Sequence, residues 1–221
     1  MCGRFVNLMP AEAMARLFSA VPSNDLPEAP RFNICPTNDV AVVVAEGEGR
    51  RLRAMRWGFL PPWYKAPGDG PLLINARAET IAEKPAFRAA VRARRCLVPA
   101  SGFYEWTKGP EAARLPWYIH PADDAPMVMA GIWQDWEAGD QRLSTVAIVT
   151  CAAAGGIEAL HSRMPVILPP EDWPMWLGEA GKGAALLMRA APAGSLAWHR
   201  VDPKVNSNRA DSPELIDPYD T

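Results

Sequence analysis

The chain has 221 residues, of which 49% are hydrophobic and 22% are charged, and this composition excludes disordered and fibrous classes of protein. Its 23 prolines argue against a helical bundle, because proline removes a backbone donor and ends helices and central strands. The net charge of −2 differs from the basic surplus that nucleic-acid-binding domains usually carry.

The hydrophobic pattern predicts many short elements along the chain. Apolar residues at helical spacing predict a helix over residues 9–20, with Pro10 at its start. Helices are also predicted over 86–95, within 152–160 and over 171–177. Apolar runs bounded by Pro, Gly, Asn or Asp predict strands at 40–45, 52–57, 72–74, 96–98, 117–119, 127–133 and 144–150.

These elements indicate the fold class. Strands outnumber helices and do not alternate with them, which predicts an α+β fold: one compact domain over residues 1–221, built on a twisted, mostly antiparallel, barrel-like sheet with short peripheral helices. No dinucleotide-binding glycine motif or P-loop is present. No apolar run reaches the length of a signal peptide or of a membrane span, so we expect a soluble, cytoplasmic protein.

The four cysteines lie far apart in the sequence and form no C-x-x-C pair. They therefore indicate neither a zinc cluster nor a disulfide framework, and we expect no metal and no cofactor. Cys2 differs from the others, because removal of Met1 would leave it with a free α-amine beside its thiol. An α-amine with a pKa of about 7.7–8.0 is partly neutral at pH 7 and condenses with aldehydes. The thiol could then close a five-membered thiazolidine ring, an intramolecular step favoured by proximity. The alternative is a cysteine that is simply buried.

Several ordered motifs favour the chemical interpretation of Cys2. They are M-C-G-R-F at 1–5, R-F-N-I at 31–34, R-W-G-F at 56–59, N-A-R-A-E at 75–79, C-L-V-P-A at 96–100, G-F-Y-E-W at 102–106 and H-S-R-M-P at 161–165. With these blocks the chain resembles the SOS-response-associated peptidase family, also called abasic-site-processing proteins, over nearly its whole length. The resemblance implies a covalent thiazolidine adduct between Cys2 and the ring-opened aldehyde of an abasic site in single-stranded DNA. It also implies slow reversal of the adduct, a lyase side reaction and a role in the DNA damage response.

The resemblance and the chemistry of the side chains together predict a role for each catalytic motif residue. Glu105 would take the proton of the Cys2 amine, with Tyr104 and Trp106 as an apolar wall around its carboxyl. His161 would donate a proton to the sugar oxygen or to the departing hydroxyl. Asn75 would orient the amine or the aldehyde-derived oxygen, its alternative being a turn residue.

Arginines near these residues are predicted to bind phosphate. Arg4, Arg77 and Arg163 each lie within two residues of a proposed catalytic side chain, so their charges would converge on the reaction centre. Phosphate contacts position a strand without reading its sequence, which suits recognition of a missing base.

Three tryptophans are predicted to contact DNA. We expect Trp57, Trp63 and Trp106 to stack on bases that flank the lesion or to open a junction between single-stranded and duplex DNA. Trp173 and Trp176 are among the tryptophans assigned to the core, and we expect the protein to be a monomer.

Two other classes of function remain open at this point. In the first, Cys2 is the nucleophile of a thiol peptidase and His161 is its base. In the second, the chain is a non-catalytic binding module for a peptide or sugar, and binding is independent of Cys2, Glu105 and His161.

Overall fold

A computed structural model describes residues 2–219, and the bounds of its regular elements follow in chain order. The strands are β1 (Phe5–Asn7), β2 (Ala20–Pro22), β3 (Arg31–Ile34), β4 (Asp39–Glu46), β5 (Gly49–Trp57), β6 (Asn75–Arg77), β7 (Arg95–Ala100), β8 (Gly102–Lys108), β9 (Arg114–Pro121), β10 (Met127–Ala138), β11 (Gln141–Ala152), β12 (Arg163–Pro165) and β13 (Leu196–Arg200). The helices are α1 (Ala11–Phe18), α2 (Arg88–Ala93) and α3 (Trp173–Leu177).

Five strands close into a small barrel. β11, β10, β7, β4 and β5 pair in that order as antiparallel neighbours, and a parallel pair between β5 and β11 completes the ring. The sequence favours strands here because β4 carries a valine-rich run whose residues 40–44 are all buried. Closure leaves no open edge among these strands.

Two short strands extend β11 beyond the ring. β6 pairs in parallel with its second half, so that Asn75 lies opposite Ile148 and Arg77 opposite Thr150. β12 pairs antiparallel with the same stretch and places Arg163 opposite Ala152. Side chains from β6 and β12 therefore meet at one end of the barrel.

An outer sheet of five antiparallel strands packs against the barrel, in the order β13, β9, β8, β1, β3. Phe5 lies opposite Phe103 on β8 and Ile34 on β3, and all three side chains join the main core. Alternation along the strands turns Val6 and Tyr104 to the other face, where a second apolar cluster includes Val201, Val205 and Leu215. The N-terminal strand thus lies in the interior of a sheet, buried on both faces.

The predicted fold class is confirmed: the chain is mostly β, with a barrel, an antiparallel sheet and short helices. The strands predicted at 40–45, 52–57, 96–98, 117–119, 127–133 and 144–150 all lie within observed strands. Helices predicted over 9–20, 86–95 and 171–177 are present but shorter, and α1 ends at Ser19, which has a left-handed φ of 51°. Trp173 and Trp176 lie in the core as predicted.

Two predicted elements are wrong. The segment 152–160 holds only a single 3₁₀ turn, Ile157–Ala159, because β11 continues to Ala152 and Gly155 and Gly156 follow with positive φ. The strand predicted at 72–74 is instead β6, three residues further on, and Leu73 makes only an isolated bridge to Phe59. Leu72 is 46% exposed, so its apolar character does not mark a buried strand. Among residues 2–219, no helix combines the length and apolar character needed to cross a membrane.

Candidate active site at the N-terminal strand

Cys2 lies three residues before β1, and backbone pairing that reaches Arg4 directs the chain between them. The Tyr104 backbone N–H donates to the Arg4 carbonyl at 3.0 Å, which extends the β1–β8 pairing toward the N-terminus. The Cys2 side chain is fully buried, and burial together with the negative charge of Glu105 raises the pKa of its thiol. The thiol is therefore neutral at physiological pH in this environment.

Glu105 is the buried acidic residue of the site. It lies on β8 and is only 3% exposed, although ionisable side chains are rarely buried without a function. The register of β1 and β8, with Phe5 opposite Phe103, brings Glu105 beside the residues that precede β1. The predicted apolar wall has to be corrected for Tyr104, because strand alternation turns its side chain into the second apolar cluster, on the face opposite Glu105. Trp106 packs against the edge of that cluster and also lines the cleft that Glu105 lines.

Asn75, at the start of β6, contacts Cys2 directly. Its Nδ2 donates to the Cys2 carbonyl at 2.9 Å, so the amide anchors the residue that precedes β1. Its Oδ1 is buried and has no hydrogen-bond partner among the described residues. Asn75 therefore lies in a strand rather than a turn, and its oxygen is able to accept a hydrogen bond from a bound molecule.

His161 faces Glu105 from the segment that precedes β12. Its Nδ1 lies 3.8 Å from Glu105 Oε1, and its side chain is about one-quarter exposed. The Arg163 backbone N–H donates to the same Nδ1 at 2.9 Å. The same Nδ1 lies 3.1 Å from the Arg163 carbonyl, so the backbone of Arg163 contacts it through both a donor and an acceptor. The shorter contact, from the N–H, favours a neutral imidazole with its proton on Nε2, from which it can be donated.

Glu105 and His161 line a cleft of about 530 Å³, a volume typical of ligand pockets. Its lining combines the two titratable residues of the site with basic and aromatic side chains. The lining residues are Gly3, Arg4, Glu105, Trp106, Thr107, Lys108, Ala112, Arg114 and His161.

The three predicted phosphate-binding arginines differ in their surroundings. Arg77 is exposed at the end of β6. Arg4 donates from Nη1 to Asn33 Oδ1 at 2.9 Å and to the Val205 carbonyl at 2.8 Å, while its side chain still lines the cleft. Arg163 forms a two-pronged ion pair with Glu79, at 2.6 and 2.9 Å. Of the three arginines, Arg77 is the exposed one, and Arg4 and Arg163 are partly buried.

The three predicted DNA-contacting tryptophans also differ. The prediction for Trp57 has to be corrected: its side chain is fully buried, donates from Nε1 to the Ile74 carbonyl at 3.0 Å and packs edge-on against Phe5. The ring packs against Phe5 of β1 and does not line the cleft. Trp63 is 54% exposed, and Trp106 lines the cleft with Arg114 over its ring at 4.9 Å.

Sequence reasoning missed a polar connection between the site and the C-terminal part of the chain. Asn33, 4% exposed, donates from Nδ2 to the carbonyls of Ser207 at 2.9 Å and Ala210 at 2.7 Å, and accepts from Arg4. Asp211 accepts from the backbone N–H groups of Phe32 and Asn33. The R-F-N-I motif could have indicated this connection, since an asparagine inside an apolar strand needs specific hydrogen-bond partners.

No group of three or more His, Cys, Asp or Glu side chains in residues 2–219 is arranged to hold a metal ion. The cysteines of this range are all buried and unpaired as disulfides.

The geometry defines a class of protein: a small β-barrel with an outer sheet whose first strand presents a cysteine to a carboxylate, an amide and an imidazole. Residues 1–208 match the family described as SOS response associated peptidase (SRAP). The chain belongs to this family.

Similar proteins span nearly the full chain. Abasic site processing protein YoqW of Bacillus subtilis (strain 168) is 33% identical over 226 residues, covering 99% of this chain and 100% of its own. Abasic site processing protein YedK of Escherichia coli (strain K12) is also 33% identical, over 227 residues with the same coverage. Abasic site processing protein HMCES of Mus musculus is 30% identical and aligns with all of this chain and 76% of its own.

Solved structures share the fold. A crystal structure of a phage-related protein from Bordetella bronchiseptica superposes with a TM-score of 0.71 at 31% identity, covering 90% of this chain and 94% of its own. A protein from Bacteroides thetaiotaomicron superposes with a TM-score of 0.82 at 23% identity, covering 97% and 99% of the two chains.

Proposed function

We propose that this protein processes abasic sites in single-stranded DNA by capturing their aldehyde as a covalent thiazolidine on Cys2. The observation that carries the proposal is a series of contacts: Asn75 donates to the Cys2 carbonyl, the charge of Glu105 acts on the Cys2 thiol, and His161 lies 3.8 Å from Glu105. Glu105 and His161 line the cleft. Relatives across the full length of the chain are named abasic site processing proteins, which supports the same substrate.

The first step needs a free α-amine on Cys2. It requires removal of Met1, a residue that lies outside the described range. The amine is converted to its neutral form when a base takes the ammonium proton, and the buried carboxylate of Glu105 is the acidic side chain placed for this transfer. Asn75 holds the Cys2 carbonyl, so the amine attacks from a fixed position.

The amine nitrogen then forms a bond to C1′ of the ring-opened sugar. One N–H proton passes to the aldehyde oxygen, and the resulting hydroxyl leaves as water with a proton from His161, whose Nε2 carries the proton when Nδ1 accepts from Arg163. The second N–H proton returns to His161, and the product is a neutral imine. An imine at C1′ also permits elimination of the 3′ phosphate, which accounts for a lyase side reaction.

Ring closure traps the imine. The Cys2 sulfur forms a bond to C1′ as the thiol proton passes to the imine nitrogen, directly or through Glu105. The balance is one aldehyde and one aminothiol giving one thiazolidine and one water. Because burial raises the pKa of the thiol, the order of events is amine first and sulfur second.

The substrate is held by its backbone. Arg77 and Arg4 are the basic side chains that we assign to phosphates beside the lesion, with Trp63 and Trp106 available for stacking on neighbouring bases. A few cations at one cleft suffice when a covalent bond sets the lifetime of the complex, so the net charge of −2 is no obstacle. Single-stranded or junction DNA is favoured, since the sugar must be reached without an intact stack.

The test is intact-mass spectrometry after mixing the purified protein with single-stranded DNA that contains one abasic site. We expect a mass gain equal to the DNA minus one water, on protein that begins at Cys2. Cys2→Ala should abolish the gain, and Cys35→Ala, which removes a thiol outside the cleft, should retain it. An adduct of unchanged yield in Cys2→Ala would contradict the proposal.

The same experiment separates the other two classes of function. Cleavage of peptides that depends on Cys2 and His161, without any DNA adduct, would indicate a thiol peptidase. DNA or peptide binding that is indifferent to Cys2, Glu105 and His161 would indicate a binding module.

A further inference from the structure

We propose that Glu79 is a positioning residue for His161, acting through its ion pair with Arg163. The inference rests on the proposed function for its kinetic consequences. Its structural part concerns the free protein and is tested without DNA.

The ion pair is a well-formed, partly buried connection. Arg163 donates from Nη1 to Glu79 Oε1 at 2.6 Å and from Nη2 to Glu79 Oε2 at 2.9 Å. The Arg163 side chain is 15% exposed and that of Glu79 is 50% exposed. The hydrogen bonds from Arg163 lower the pKa of the Glu79 carboxyl, so the pair stays charged at neutral pH.

The same guanidinium also binds the barrel. Its Nη2 donates to the Thr150 carbonyl at 2.7 Å, and that carbonyl accepts a second hydrogen bond from the Ala78 N–H at 2.8 Å. Arg163 therefore joins three segments: the end of β6, strand β11 and the start of β12.

β12 depends on this junction because the strand itself is weak. It has only three residues, its last residue is Pro165, which has no N–H, and Gly155 and Gly156 lie in the segment before it. Its backbone pairs with β11, and the Ala153 N–H donates to the Ser162 carbonyl beside Arg163 at 3.0 Å. The Arg163 side chain adds a further restraint, and Glu79 holds that side chain with two hydrogen bonds.

His161 takes its orientation from the backbone of the same residue. The Arg163 N–H lies 2.9 Å from His161 Nδ1, and that nitrogen lies 3.8 Å from Glu105 Oε1. Nδ1 also lies 3.1 Å from the Arg163 carbonyl, so a shift at the start of β12 would change both backbone contacts of the ring and the balance between its two neutral tautomers. Glu79 thus acts on the proton donor of the site without lining the cleft itself.

Glu79 has a second, opposite effect through its charge. Its carboxylate offsets the positive charge of Arg163 near the cleft end of the barrel. Removal of that carboxylate therefore makes the site more attractive to phosphate while it loosens His161. The two effects fall on different measurements, noncovalent affinity and the rate of the chemical step.

The experiment uses Glu79→Gln and Glu79→Ala in the full chain. A matched control is Glu179→Gln, because Glu179 forms a similar two-pronged pair with Arg50, at 2.8 and 2.6 Å. Neither of these two residues lines the cleft. The first readout is the ¹⁵N NMR spectrum of the imidazoles in the free protein. The chain has three histidines, so His161→Gln assigns the signal.

In wild type we expect the His161 signal of a ring protonated on Nε2, and in both Glu79 variants a mixture of tautomers. The second readout separates binding from chemistry. Affinity for undamaged single-stranded DNA should rise about two- to fivefold, the range of an exposed charge interaction. The adduct-forming rate at saturating abasic DNA should fall about tenfold, part of what a positioned general acid contributes.

Glu179→Gln should match wild type in both readouts. An unchanged His161 tautomer in Glu79→Ala would overturn the inference, as would a fall in rate and affinity that merely parallels a loss of folded protein. If wild type forms no adduct, the proposed function fails, while the NMR result still decides whether Glu79 positions His161.

Discussion

The closed barrel and the outer sheet are stabilised in different ways. Barrel strands are 6 to 12 residues long and fill their interior with aliphatic side chains. The outer sheet includes strands of only three and four residues, β1 and β3, and it holds the buried polar residues Asn33 and Glu105. Apolar packing dominates the first region, where the buried polar side chains are the threonines Thr145 and Thr150 of β11, whereas the second buries a carboxylate and an asparagine that need specific hydrogen bonds.

The difference shows which region of the fold carries the candidate active site. Burial of Glu105 is costly for folding, and buried carboxylates of this kind occur where chemistry requires them. The barrel behind β1 provides the stability that offsets this cost, with Trp57 packed edge-on against Phe5. Substitutions in the outer sheet should therefore reduce activity more than stability, and substitutions in the barrel the reverse.

The largest effect is expected for Glu105→Gln. The amide keeps the shape of the side chain but cannot take a proton from the Cys2 amine, so the rate of adduct formation should fall by about 10²- to 10⁴-fold. Rates are measured by quenching the reaction with abasic single-stranded DNA and separating the adduct on a denaturing gel. Binding of undamaged DNA should change little.

Glu137→Gln is the control for this prediction, because Glu137 is an exposed carboxylate of β10 that pairs only with Arg142 in the described ion pairs. A Glu105→Gln protein that reacts at the wild-type rate would remove Glu105 from the mechanism.

Substitution of two tryptophans tests the comparison through the free energy of unfolding. Trp57→Ala removes a fully buried ring from the barrel and should lower the free energy of unfolding by about 3–5 kcal/mol. Trp63 is 54% exposed, so Trp63→Ala should lie within about 0.5 kcal/mol of wild type. Urea denaturation measures both. Equal losses in the two variants would contradict the assignment of Trp57 to the core and Trp63 to the surface.

Asn33 tests whether polar contacts hold the outer sheet together. Asn33→Ala removes the hydrogen bonds of its amide to the Ser207 and Ala210 carbonyls and to the Arg4 guanidinium, which should cost about 1–3 kcal/mol. Arg4 then keeps its contact with the Val205 carbonyl. We expect a lower melting temperature and weaker DNA binding, since Arg4 loses its hydrogen bond to Asn33. Asn208→Ala, an exposed neighbour in the same segment, should behave as wild type.

The sequence predicted the long barrel strands because their valine- and alanine-rich runs exceed four residues and are bounded by turn residues. It did not predict β1, β3 or β12, which are too short to show a period. Parallel pairing of β6 with β11 is a tertiary feature that no local pattern encodes. The four catalytic candidates were named from motifs, and the structure brings Asn75 to Cys2 and His161 to Glu105.

Other parts of the site depend on three-dimensional context. A tryptophan beside an arginine in R-W-G-F is compatible with either a DNA contact or a core position, and only packing against Phe5 separates the two for Trp57. Pairing of Glu79 with Arg163 joins residues 84 positions apart, so their spacing gives no signal. Asn33 was visible as a polar residue in an apolar strand, but its carbonyl partners lie more than 170 positions away.

The smallest expected effect concerns the electrostatic part of the site. Arg77 is exposed at the end of β6, so Arg77→Ala should leave stability unchanged and remove one phosphate contact. For single strands each such contact contributes about 0.7 to the slope of log affinity against log salt concentration, so the slope should become shallower by ~0.7. Fluorescence anisotropy with undamaged single-stranded DNA measures this slope. Arg88→Ala, which removes an exposed arginine on α2, should retain it. If the two variants had the same salt dependence, phosphate binding would be a general property of the surface and would not belong to β6, whose Asn75 contacts Cys2.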